Sequence, residues 1–401
     1  MDAIRHHSFG PPEVLTLEQI PDPVPGPGEV LVDAVAHGVH LLDTSIRRGE
    51  AGPPLPLPSL PAVPGREIAG TVAEVGPGVD ASWTGRRVAA HLGAVPDGGG
   101  YARRVVVAAE KLHVIPDGPD GAPLDPADAI AMIGTGRMAV YTLDIAAVTA
   151  ADVVVVTGAA GGLGPLFVQE ALRSGARVVA LAGGAAKLKI LQDLVPDALP
   201  DVSPDAPIDA PTDTLPATST DTLSGTLPGS DRLTLVDYSE PGWLDTARAA
   251  LGHSPATLVF DGVGGELGTA ATSLMDAALL NTTPPDKTLS DPTAPDATAQ
   301  DATVLDIAGS RLVAYGWASG APNRYTSWAG ADRIESPIEV RYAVGPDAPP
   351  MSDQRPYQER ALAQAASGRW RVATHRVPFA EAARAHRELE ERRTTGKVVL
   401  V

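Results

Sequence analysis

The chain has 401 residues, a net charge of −18 and no cysteine. The length accommodates two domains with separate cores, and the missing cysteines exclude disulfides, thiol nucleophiles and Cys-ligated zinc. The acidic balance argues against nucleic acid and anionic membranes as partners. The start, MDAIRHHSFG, has no apolar core of the kind a secretion signal needs. No run of eighteen apolar residues offers a membrane span. A cysteine-free chain suits a reducing compartment, so a cytoplasmic location is expected.

In chain order, residues 1–115 read as all-β. Short runs such as EVLTLEQI, EVLVDAVAHGV, EIAGTVAEVG and RRVVVAAEKLHVI stand between Gly and Pro clusters. A helical period covers about Ala127 to Ala150. An α/β alternation follows: strand Val153–Thr157, helix Pro165–Ser174, strand Arg177–Ala182, helix Ala185–Leu194 and a strand near Leu233–Asp237. It continues with helix Trp243–Leu251, strand Thr257–Asp261, helix Glu266–Leu280 and strand Arg311–Gly316. That order predicts a parallel, doubly wound sheet. Helices at Tyr357–Ser367 and Ala380–Arg392 precede a closing strand, KVVLV. Two acidic, Pro/Thr-rich stretches, 195–231 and 281–303, lack aromatics and the apolar surface to offset ordering entropy, and are expected to be disordered insertions.

The stretch TGAAGGLG (157–164) follows four valines and opens a helix. Glycines there remove Cβ atoms where a strand turns sharply into a helix, so a pyrophosphate can approach the backbone. The helix N-terminus then offers free N–H groups and a positive dipole end. Pro165 suits the first helical turn. A second strand follows at the distance a βαβ unit requires, which makes this a dinucleotide-binding signature. Thr157, Ala160, Gly161, Gly162, Leu163 and Gly164 are the predicted phosphate-binding residues.

The end of the second strand selects the cofactor. An NAD site usually places Asp or Glu there for the ribose hydroxyls. Here LAGGAAKLK contains no acid. Gly183 leaves room for a 2′-phosphate and Lys187 supplies a point charge for it. Tyr238, in VDYSEPGW, is placed to close over the same phosphate. NADPH is therefore expected rather than NADH. DGVGGELG and YGWASGAPN lie at later strand ends, where open sheets bind ligands. Val263, Gly264, Gly316, Trp317 and Ala318 are the backbone contacts expected for the nicotinamide.

With these residues placed, the chain resembles a zinc-independent member of the medium-chain dehydrogenase/reductase superfamily, in its quinone oxidoreductase branch. The resemblance runs through IRHHSFGPPEVLTLEQIPDPVPGPGEVLV, GVHLLDTSIRRG (38–49), VPGREIAGTVAEVGPGV (63–79), GGYARRVVV (99–107), VVVVTGAAGGLG (153–164) and VPFAEAARAHRELEERRTTGKVVLV (377–401). It implies a GroES-like β-rich catalytic domain from residues 1–128, a Rossmann NADPH-binding domain from 129–371, and a return to the catalytic domain over 372–401. It further implies hydride transfer to a quinone or an α,β-unsaturated carbonyl, a small-molecule partner and a homodimer. Zinc-dependent relatives place a ligating His where this chain has Arg66. His40 and Glu67 alone do not make a tetrahedral site, so no metal is expected. Quinone oxidoreductases usually show Asn at His40, Tyr at Ser45 and Thr at Ala139, so the substrate end is rebuilt.

An acceptor oxygen gains negative charge as hydride arrives, and groups that donate a hydrogen bond to it lower the barrier. His40 is the first candidate for donor or acid. Asp43 orients the loop or an adjacent Arg. Arg137, just before the region facing the nicotinamide, is a candidate for a polar substrate or a cofactor phosphate. Two alternatives stay open: a zinc-free alcohol or carbonyl oxidoreductase, and an NADPH-binding sensor with little turnover.

Overall fold

The structure is a computed structural model that describes residues 1–50, 57–93, 99–195, 225–226, 232–276, 309–326, 338–345, 348–351 and 353–401. The expected insertions 195–231 and 281–303 therefore lie outside the described residues, apart from Val195 and 225–226. The chain divides into two compact units. The first holds Met1–Val140, Gly161–Leu166 and Asp353–Val401; the second holds Tyr141–Ala160 and Phe167–Ser352.

The first unit opens with β1 (Asp2–Arg5) and β2 (Thr16–Gln19), an antiparallel pair. β3 (Glu29–Val39) is eleven residues long and organises the main sheet. It is followed by α1 (Leu41–Arg48), β4 (Glu67–Val75), β5 (Arg87–His91), β6 (Arg104–Ala108) and β7 (Leu112–Val114). Val30, Val32, Ile68, Val72, Val88, Val105, Val107 and Leu112 alternate inward along these strands and form one core.

α1 corrects the all-β expectation for residues 1–115. Its sequence, LLDTSIRR, has little apolar character, and its ends explain why it forms. The Asp43 carboxylate accepts the His40 backbone N–H at 2.8 Å, and Gly49 closes the helix with φ 78. Arg47 and Arg48 stand in the last turn, where cations suit the helix dipole.

A helix α2 (Pro126–Ile130), capped by the Asp125 carboxylate on the Ala127 N–H at 2.8 Å, runs into a π-helical stretch at Ala131–Gly136 and then α3 (Arg137–Ala146). Ile130 of this helix reaches β3, so residues 129–140 sit with the first unit and not with the expected nucleotide-binding domain.

The second unit is built from β8 (Val153–Val156), α4 (Gly164–Arg173, of which 167–173 belong here), β9 (Arg177–Ala182), α5 (Ala185–Leu194), β10 (Gly225–Thr226) and β11 (Leu233–Asp237). It continues through α6 (Trp243–Leu251), β12 (Leu258–Asp261), α7 (Gly265–Thr272), β13 (Arg311–Ala314) and β14 (Glu339–Tyr342). The strand order is β10-β11-β9-β8-β12-β13-β14, parallel throughout except at β10. The order reverses around β8, as in doubly wound sheets. Val155, Val179, Leu181, Val236, Val259 and Leu312 are fully buried in its core. At the amino ends of the strands Arg311 grips Asp152 with two bonds of 2.9 and 3.0 Å, and Thr257 donates to the same carboxylate at 2.8 Å.

The chain then returns to the first unit through α8 (Arg355–Ala366), β15 (Thr374–Val377), α9 (Ala382–Glu390) and β16 (Lys397–Leu400). This return starts at Asp353, earlier than residue 372, because α8 packs with the π-helical stretch. β16 pairs with β3 on one side and β15 on the other, completing the order β15-β16-β3-β4-β5-β7, with β6 also on β3. Arg47, only 1% exposed, pairs with Glu390 of α9 at 2.6 Å and clasps the two ends of the sequence together.

Candidate active site

Two groups of residues are candidates for the site, one around Glu67 and one along the turn after β8 and the strand ends that follow it. In the first unit the centre is Glu67, fully buried at the start of β4. Its Oε1 lies 2.7 Å from His40 Nε2 and its Oε2 lies 2.8 Å from Lys397 Nζ. Lys397 Nζ is also 2.8 Å from His40 Nε2 and donates to the Val39 carbonyl at 3.1 Å. The backbone makes room for this carboxylate. A Cβ on Gly134 would come within 1.5 Å of Glu67 Oε1, and one on Gly38 within 2.2 Å of Oε2. Only glycine fits at either place. Gly134 lies in the π-helical stretch, a feature frequent at functional sites.

The charges around Glu67 settle which groups are ionised. Burial works to raise the Glu67 carboxyl, but His40 and Lys397 together hold it well below the usual carboxylate range. Burial lowers the Lys397 ammonium, opposed by Glu67. Burial also lowers His40, so a neutral imidazole is favoured near neutrality. His40 Nε2 thus stands between one anion and one cation.

Three more side chains complete this cluster. His91 ends β5 and stands opposite Glu67 in the strand register. Its Nδ1 accepts the Gly93 N–H at 3.1 Å, which leaves the ring proton on Nε2. Burial brings His91 down to about 3. Arg66 Nε is 3.6 Å from Asp43 Oδ1, too far for a hydrogen bond. Arg137 donates to the Gln354 side chain, while its buried Nε bonds to nothing.

The turn after β8 offers mostly bare backbone. Among the described residues, the N–H groups of Ala160, Gly161, Gly162 and Leu163 donate to no protein group. The turn is held from behind: the Thr157 N–H donates to the Phe260 carbonyl at 3.0 Å, and Ala159 N–H to Leu181 at 2.9 Å. Gly183 follows β9, and a Cβ there would meet the Tyr238 ring at 2.9 Å. Lys187 stands on the first turn of α5. The space that Gly183 leaves open is thus lined by the Tyr238 ring. An acid does reach this strand end from β11. Asp237 Oδ1 accepts the N–H of Gly184 and of Ser239, both at 2.9 Å, and the Ser239 hydroxyl at 2.5 Å.

Val263 and Gly264 follow β12, where a second buried carboxylate organises the loop. Asp261 Oδ1 accepts Thr157 Oγ1 at 2.9 Å and the N–H groups of Val263 and Gly264 at 3.1 and 3.0 Å. Asn323 bonds its Oδ2 at 3.0 Å. Gly264, at φ 68, packs under Trp317 and the Ala321 carbonyl. Gly316, Trp317 and Ala318 follow β13, and the Ala318 N–H donates to Gly262.

Of the predicted catalytic residues, His40 joins the Glu67 cluster, Asp43 caps α1 beside Arg66, and Arg137 stands on the same cluster's rim. Glu67, Lys397, His91 and Asp261 were not singled out as site residues by sequence reasoning. The residues fit a dinucleotide but not a metal. Lys397's ammonium stands within 2.8 Å of both His40 Nε2 and Glu67 Oε2, where a cation bound to those donors would have to be. Among the described residues no group of three His, Cys, Asp or Glu is placed to hold a metal ion. Among them, too, no helix is long and apolar enough to cross a membrane.

Comparison with known proteins bears on both units. Residues 26–117 match the alcohol dehydrogenase GroES-like domain and residues 233–400 match the family described as zinc-binding dehydrogenase, together more than half of the chain. The chain is 34% identical over 189 residues to a 2-haloacrylate reductase of Burkholderia sp., a match covering 47% of this chain and 55% of that protein. It is 34% identical over 185 residues to the quinone oxidoreductase of Sus scrofa, covering 46% and 53%. The chain thus spans about half the length of the curated relatives it matches. A mycobacterial protein solved with NADPH superposes over 100% of both chains, with a TM-score of 0.65 and 27% identity. The GroES-like sheet, the doubly wound sheet and these matches together show that the chain belongs to the medium-chain dehydrogenase/reductase superfamily.

Proposed function

We propose that this protein is an NADPH-dependent oxidoreductase that delivers hydride, without zinc, to a quinone or an α,β-unsaturated carbonyl. The observation that carries the reading is the turn after β8. Its successive free N–H groups, at the head of α4, suit a pyrophosphate. Gly183 under Tyr238, with Lys187 one turn into α5, suits the 2′-phosphate. Asp237 is the competing feature, but its Oδ1 is committed to Gly184 and Ser239. The names of the relatives fit the acceptor class: a quinone and a 2-haloacrylate both conjugate C=C with C=O.

NADPH, when bound, supplies the hydride. The first unit supplies the rest. As charge builds on the acceptor oxygen, a preorganised donor there lowers the barrier by several kcal/mol in a dry site, about 3–4 for one oxyanion donor elsewhere. His40 is the partly exposed member of the His40–Glu67–Lys397 group, so it donates to that oxygen and is recharged by Lys397. Asp43 holds the start of α1 and with it the His40 backbone.

The test is a titration of the purified protein with NADPH and NADH, repeated for Lys187→Glu. The variant is expected to lose roughly ten- to a hundredfold in NADPH affinity, the range for a charged hydrogen-bonded contact, while NADH binding stays within about twofold. Equal losses for both cofactors would defeat the 2′-phosphate assignment. Binding without oxidation of NADPH by any quinone or enone would defeat the reductase reading.

A further inference from the structure

Arg66 is a guanidinium with one long ion contact, its Nε standing 3.6 Å from Asp43 Oδ1. Among the described residues none of its five N–H groups makes a hydrogen bond, its Nε is buried, and its side chain is 17% exposed. Arg137 uses one nitrogen on Gln354 and leaves a buried Nε unbonded. His91 presents an Nε2–H with no protein acceptor among the described residues. These groups surround one point. Arg66 directly precedes Glu67, His91 faces Glu67 across the β4–β5 ladder, and Arg137 begins the helix one turn after Gly134, whose backbone rests on the Glu67 carboxylate.

The charges at this point do not balance. Three cations, Arg66, Arg137 and Lys397, meet two carboxylates, Glu67 and Asp43. Burial keeps His40 and His91 neutral, so neither adds charge, and one positive charge is left over beside Arg66 and Arg137, which repel one another. A buried cation that lacks both a counterion and hydrogen bonds is costly. Guanidinium also has the planar fork that matches a carboxylate.

We propose that Arg66, Arg137 and the His91 Nε2–H form a carboxylate site, so that the acceptors this protein prefers are α,β-unsaturated carboxylates rather than neutral quinones or enones. This rests on the reductase reading and narrows it. The bond changes are those of conjugate reduction. Hydride adds to the β-carbon, the C=C electron pair moves to the α-carbon and its carboxylate, and one proton from the His40–Lys397 group or water completes a saturated acid. The second negative charge that develops on the carboxylate is what two guanidinium groups are suited to offset.

The experiment compares kcat/KM of the intact protein with NADPH for a 2-substituted acrylate and its methyl ester. An ester is intrinsically the better hydride acceptor, so a preference for the acid has to come from the protein. The acid is expected to be favoured by tenfold or more. Arg66→Gln and Arg137→Gln are each expected to lower the acid-to-ester ratio by roughly ten- to a hundredfold, with Arg66→Lys recovering part of it. NADPH affinity should not change. A wild-type preference for the ester, or a ratio unmoved in both glutamine variants, would overturn the proposal. So would a tenfold loss of NADPH affinity, which would assign the arginines to a cofactor phosphate. Calorimetric titration with propanoate separates the two readings. Propanoate binding that Arg66→Gln abolishes, with no turnover of any acceptor, supports the anion site and ends the reductase reading. Turnover of ester and quinone without propanoate binding does the reverse.

Discussion

The two candidate sites are made by opposite means. The first packs ionised side chains around Glu67, each positioned by another, and requires glycine at Gly38 and Gly134 only to make space. The second withholds side chains and presents main-chain N–H groups at the carboxyl ends of parallel strands, with a buried carboxylate, Asp261, turned back on the loop. A site made of charges depends on every partner being present. A site made of backbone depends on local geometry and tolerates changes nearby.

That contrast sets the expected order of damage. Glu67→Ala should cost the most, about 3–5 kcal/mol in urea unfolding, because it strands the buried Lys397 ammonium. Pairing it with Lys397→Met should restore most of the loss, and a cost below about 1 kcal/mol would break the comparison. Asp261→Ala should cost less, roughly 1–3 kcal/mol, since its partners are neutral donors.

Next comes pH. Burial lowers His37 and His91 to about 3 and His386 to about 4, against 6.5 in the unfolded chain. The unfolded state therefore binds more protons below about pH 6.5, and stability falls with falling pH until those folded values are reached. Each group contributes at most about 1.4 kcal/mol per pH unit. His386→Phe should remove one group's share of the slope between pH 6.5 and 4, whatever it costs at neutral pH through the lost Tyr101 contact. An unchanged slope would show that this histidine is not buried neutral. The smallest effect is expected at Lys189, whose exposed i,i+4 pair with Asp193 at 3.4 Å belongs to neither site. Lys189→Ala should move stability by no more than about 0.5 kcal/mol.

The second unit was the more legible in sequence because its signals are local. β9, α5, β11 and α6 were all readable from valine-rich runs and 3.6-residue periods. α1 was not, since its apolar face is short and one of its inward residues is Arg47. The same reason hid half of the first site. Lys397 stands 330 positions after Glu67, so no window of sequence holds both. Only the structure shows that Gly38 and Gly134 make room for a carboxylate between them. His91 reads as a polar strand end until the β4–β5 register sets it opposite Glu67. Asp261 was quoted in a glycine-rich motif, but its four hydrogen bonds come from three separate segments.

The placing of β16 between β3 and β15 has a consequence for biosynthesis. A ribosome releases β3, β4 and Glu67 long before it releases the strand that carries Lys397, and the whole doubly wound sheet emerges in the interval. The nascent GroES-like sheet must wait with an open edge and an unanswered acid, while the later-made unit is free to fold first. Nascent chains stalled short of residue 397 should therefore protect the second unit from protease and leave the first one cleavable.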